Sequence, residues 1–111
     1  MAYTSSMKRD PFGHPRAKLT KPIVDEFVSD YVHRLSGLTG VLEVWAAPRG
    51  EVLEIFTLID ETFEELEMSV YECELETRQA YASVLPDFHL YRNEERFREM
   101  VGSSQLAFSA A

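Results

Sequence analysis

Val41-Leu42-Glu43-Val44-Trp45-Ala46-Ala47, then Pro48-Arg49-Gly50, then Glu51–Asp60 form the stretch on which the fold turns. The first and third pieces are rich in β-branched and aromatic residues, which suit a pleated, half-buried surface. The Pro-Arg-Gly between them is short and turn-forming, so the two strands should pair antiparallel as a hairpin. Along Val52–Ile59, Val52, Glu54, Phe56 and Leu58 point one way, and Leu53, Ile55, Thr57 and Ile59 the other. Apart from Glu54 both sides are apolar. This predicts a central strand covered on both faces at that end.

C-terminal to the hairpin, Thr62 and Glu65 have the spacing of a capping box, and the pattern predicts a helix over Phe63–Leu85, ended by Pro86. Its core face is Phe63, Leu66, Val70, Cys73, Thr77, Tyr81 and Val84, while Glu64, Glu65, Glu67, Glu72, Glu74 and Glu76 cover the rest. Met68, Tyr71 and Leu75 make a second apolar line off that face, more than a lone surface helix needs. It suits packing on another helix or docking of a second copy. Asp87–Arg92 alternates and reads as a third strand. Asn93 then caps a short helix, Glu94–Val101, closed by Gly102, and residues 103–111 read as a tail anchored by Leu106 and Phe108.

N-terminal to the hairpin, Ile23, Val24, Phe27, Val28, Tyr31, Val32 and Leu35 recur at three- and four-residue spacing, predicting a helix over Pro22–Ser36. Pro22 falls in its first turn, where a missing N–H costs nothing. Gly37 is the expected stop, in a left-handed conformation. The expectation is therefore an α+β domain over residues 20–102, of order α-β-β-α-β-α. A small, mainly antiparallel three-stranded sheet packs on two main helices. Residues 1–19, with Pro11, Gly13 and Pro15, form an irregular basic arm.

The chain carries a net charge of −8, unevenly spread. Lys8, Arg9, Arg16, Lys18 and Lys21 against Asp10 give residues 1–21 a charge of +4, and residues 22–111 hold the remaining −12. So acidic a body repels phosphate, which makes nucleic acid an unlikely partner for it. The longest apolar runs fall well short of the roughly 20 residues that span a bilayer, and Met1–Thr20 lacks the apolar segment of a secretory signal. One cysteine, Cys73, excludes an intramolecular disulfide framework. The expected setting is cytoplasmic, with no membrane.

Few residues offer chemistry. Cys73 lies on the core face of its helix, where cysteine behaves as a small hydrophobe. His33 lies at the end of the first helix, where a cation favours the dipole. His89 follows Asp87 by two residues on the same strand face. That pair can ligate a metal or exchange a proton, but a single His–carboxylate pair specifies neither. Glu61, Glu65, Glu72 and Glu76 include helical i,i+4 pairs, yet carboxylate metal sites draw ligands from more than one element. Arg49, beside Gly50, can clamp an anion. No catalytic residue, metal or cofactor is expected from these patterns.

Over Pro22–Arg92 the element order of helix, strand, Arg-Gly turn, strand, helix and strand resembles the minimal nucleotidyltransferase core of small bacterial antitoxin-type proteins. In that family a Gly-Ser pair follows the first strand and an Asp-x-Asp on the second binds magnesium. Here the first strand ends Ala46-Ala47-Pro48, and Val52-Leu53-Glu54 leaves one carboxylate. The resemblance implies a degenerate, non-catalytic member, since two-metal phosphoryl chemistry needs carboxylates this chain lacks. Its nucleotide or metal ligands would be Arg49, Glu54 and Asp60.

Three functions follow as expectations. The leading one is a non-catalytic protein-interaction module that self-associates as a homodimer through Met68, Tyr71 and Leu75. The second is the nucleotidyltransferase-like ligand binder. The third is an acidic inhibitor that mimics nucleic acid.

Overall fold

The computed structural model describes residues 18–110; most of the basic arm lies outside them. The elements are α1 (Lys21–Leu35), β1 (Val41–Arg49), β2 (Val52–Ile59), α2 (Leu66–Ala80), β3 (Leu85–Tyr91), α3 (Glu94–Val101) and β4 (Gln105–Ser109). The strands form one sheet in the order β3-β2-β1-β4. The α+β class and the hairpin are as expected, with β1 antiparallel to β2 from Val41↔Ile59 to Arg49↔Val52.

Two features of the expected sheet are corrected. It has four strands, because Gln105–Ser109, expected as tail, pairs antiparallel with β1. Without β4 the β1 strand would present an open row of backbone donors and acceptors. Phe108 packs on the core, whereas the Leu106 side chain is exposed. The sheet is also mixed, since β3 runs parallel to β2. A helix lies between these two strands, and such a crossover is what joins parallel neighbours.

The helix boundaries shift as well. α2 begins at Leu66 and ends at Ala80, not at Phe63 and Leu85. The capping box does not form: the Thr62 amide and hydroxyl both donate to Asp60 Oδ1, at 2.9 and 2.8 Å. Arg92 holds the loop before α2, donating to the carbonyls of Asp60, Phe63 and Glu64 and to Glu67 Oε1 at 2.7 Å. Tyr81 to Val84 turn the chain, and Pro86 lies inside β3, an edge strand that tolerates a missing N–H. α1 is capped by Ser36 and Gly37 does not take a positive φ. The left-handed conformation falls instead on Gly40, with φ +104°, at the entry to β1.

α1 and α2 cover one face of the sheet. Phe27, Tyr31 and Leu35 of α1 and Val70 and Cys73 of α2 pack on Val44, Ala46, Leu53, Ile55 and Ile59. Within this core Tyr31 and Thr57 share a hydrogen bond of 2.8 Å, which satisfies two buried hydroxyls. α3 covers the other face at one end only, where Phe97 and Val101 pack on Phe56 and Leu58 with Leu42, Trp45 and Tyr91 around them. Asn93 caps α3 as expected, accepting from the Arg96 amide at 2.8 Å. β2 is thus central and, towards its C-terminal end, covered on both sides.

Candidate functional site

The half of the second face that α3 leaves open holds a cluster of charged side chains. In the parallel β2–β3 register Glu54 is opposite Asp87 and Phe56 is opposite His89. Alternation along each strand points all four to the same side. Arg49, at the end of β1, ion-pairs with Glu54 through Glu54 Oε2. The imidazole of His89 stacks on Phe56, with ring centroids 4.8 Å apart and planes 15° from parallel. This fixes the ring so that Nε2 lies 3.4 Å from Glu54 Oε1 and 3.3 Å from Asp87 Oδ2. Nε2 is buried and makes no hydrogen bond.

Of the expected ligand-binding residues, Arg49 and Glu54 therefore meet, and Asp60 does not join them. Asp60 follows the other end of β2, six residues from Glu54, or about 20 Å at the rise of an extended strand. There it caps the loop before α2. The two hydrogen bonds from Thr62, backbone then hydroxyl, hold its carboxyl below the usual range. A shallow open depression beside it is lined by Leu58, Asp60, Arg92 and Glu94 among others.

The expected interaction residues are exposed: Met68 at 66%, Tyr71 at 46% and Leu75 at 54%. They do not pack on α1. That contact is made by Cys73, whose thiol donates to the Arg34 carbonyl at 3.5 Å. Burial, then the charge of Glu76, raises the Cys73 thiol pKa, so the nucleophilic thiolate is disfavoured. His33 is exposed near the end of α1. On α3, Arg98 ion-pairs with Glu43 and Glu94, and Glu43 also accepts from the Trp45 indole at 2.8 Å.

Glu74 is a feature the pattern of glutamates did not reveal. Burial pushes its carboxyl up to about 7, against a smaller opposing effect of Arg78. A carboxyl raised in the folded state binds more protons there than in the unfolded chain between about pH 4.5 and 7. Stability should therefore fall as pH rises through that window. Glu74→Gln is expected to raise the melting temperature at pH 8 and to flatten the pH dependence between 5 and 8. Parallel pH profiles for variant and wild type would refute this.

No family model, curated protein or solved structure matches the chain. Among the described residues no helix is long and apolar enough to cross a membrane.

Proposed function

We propose that the chain is a non-catalytic protein-interaction module that self-associates through the outer face of α2. The observation that carries this reading is the exposed line Met68, Tyr71 and Leu75 on a helix whose Leu66, Val70 and Cys73 are buried. Three large apolar side chains on one helix face lose water most effectively against a similar face.

A second copy can align antiparallel about a two-fold axis. Placing Met68 opposite Leu75 brings Tyr71 to the axis and sets Glu65 opposite Arg78, an attractive pair. The same alignment sets Glu67 opposite Glu76. Each already has a cation within its own chain, Arg92 on Glu67 at 2.7 Å and Arg34 near Glu76 at 3.6 Å. An isologous contact of this kind is what a two-fold dimer requires.

Light scattering on the purified chain is expected to give twice the chain mass. Tyr71→Glu would place two carboxylates near the axis and should return the monomer with an unchanged circular dichroism spectrum. A wild-type chain that stays monomeric across a whole concentration series, or a Tyr71→Glu variant that stays dimeric, overturns the reading.

A further inference from the structure

We propose that Glu54, Asp87 and His89 form a binding site for a divalent transition-metal ion of the zinc class, with Arg49 as the residue that orients Glu54. The site lies on the sheet, away from the α2 face, and is independent of self-association.

Three observations carry the inference. The first is spacing. One ligand atom from each of the three side chains lies within 4.8 Å of the others. Metal–nitrogen and metal–oxygen bonds of about 2.0–2.1 Å in a tetrahedral site set neighbouring ligand atoms about 3.3–3.4 Å apart. His89 Nε2 stands 3.4 Å from Glu54 Oε1 and 3.3 Å from Asp87 Oδ2. The two carboxylate oxygens lie within 4.8 Å of each other on either side of that nitrogen.

The second is the unsatisfied nitrogen. His89 Nε2 is buried, lacks a hydrogen bond and is aimed between two carboxylates. Buried polar atoms are nearly always partnered, and a cation shared with both carboxylates would partner this one. The stack on Phe56 already holds the ring in place, so little rotamer freedom remains to be lost on binding.

The third is charge. Glu54 and Asp87 are direct register partners, and like charges directly opposite one another destabilise a sheet. Arg49 offsets one of them through Oε2 of Glu54, leaving Oε1 turned towards His89. Hydrogen-bonded second partners of this kind orient ligating carboxylates in metal sites. One imidazole and two carboxylates suit zinc, manganese, cobalt or iron(II) better than calcium or magnesium, which favour oxygen alone. Three protein ligands leave a fourth position open to water, the arrangement of sites at which a metal acts on a further ligand.

The test uses the chelator-treated full chain at pH 7.5, titrated with cobalt(II) followed by visible absorption and with zinc followed by calorimetry. The expected result is one site per chain and cobalt bands of tetrahedral intensity. Affinity should fall at least about tenfold in Asp87→Asn and in His89→Phe, a loss of the size seen when even outer partners of a metal ligand are removed. His89→Phe keeps an aromatic ring on Phe56 and removes both ring nitrogens, so it separates loss of ligation from loss of the stack. Glu64→Gln, in the loop before α2, should bind as wild type does. No binding by the wild-type chain overturns the proposal. So does zinc binding that His89→Phe leaves intact, since that would be diffuse attraction to acidic surface.

Discussion

Phe97→Ala is expected to cost about 3–5 kcal/mol, the range for removing a buried phenylalanine side chain. Phe97 is fully buried and is the centre of the smaller of the two cores, where only Phe56, Leu58 and Val101 join it as buried neighbours. Its ring also meets Tyr91 edge-on, with centroids 5.9 Å apart, and Arg98 lies over it at 5.3 Å. So few neighbours leave little to collapse into the cavity. The loss corresponds to a fall in melting temperature of roughly 15–30 °C for a domain of this size. Trp45, the single tryptophan, lies at the edge of the same cluster. Its emission should therefore shift to the red in native buffer if α3 lifts from the sheet. A cost below about 1 kcal/mol with unchanged emission would show that α3 does not hold this face.

Gly40→Val is the second large effect, expected at about 3 kcal/mol or more. Gly40 has φ +104°, which a β-branched residue avoids at a cost of about 1–3 kcal/mol. A Cβ there would also lie 2.9 Å from Leu66 Cδ2 and 2.9 Å from Phe63 Cδ2. Making room pushes the Leu66 and Phe63 side chains aside, with overpacking that typically costs about 1–3 kcal/mol more. The Gly40 carbonyl accepts from the Asp60 amide at 2.7 Å, so a shift here also loosens the end of β2. Gly40→Ala should cost less, because it lacks the branched carbons while keeping the backbone strain. Urea titrations of both variants give the comparison. Equal midpoints for Gly40→Val and wild type would mean that neither strain nor crowding operates at this position.

These two positions differ in how visible they are before folding. The helix that carries Phe97 is legible, framed by Asn93, the acidic first turn and Gly102. The special role of Gly40 is not. Gly37 stood nearer the end of the helical periodicity, and nothing local distinguishes a glycine that ends α1 from one that admits Phe63 and Leu66 from a different element.

The candidate site shows the same division. Arg49 and Glu54 are readable together, because the hairpin turn at Gly50-Glu51 folds the end of β1 onto the start of β2. Asp87 and His89 were readable together, because a strand places i and i+2 on one face. That the two pairs form one cluster was not readable. The nucleotidyltransferase resemblance groups Asp60 with Arg49 and Glu54, and extension of β2 carries Asp60 to the far end.

The sequence by itself determined the α+β class, the β1–β2 hairpin, the central position of β2, the bounds of α3 and the polar character of everything around Met68, Tyr71 and Leu75. Each of these rests on side-chain period, turn chemistry or capping within a few residues. The tertiary structure alone decided that β3 lies parallel to β2 with Glu54 opposite Asp87, and that Gln105–Ser109 closes the edge of β1. Strand register across a helical crossover depends on how two distant apolar faces settle on one core. A shift of one residue would turn Asp87 and His89 to the opposite face, away from Glu54.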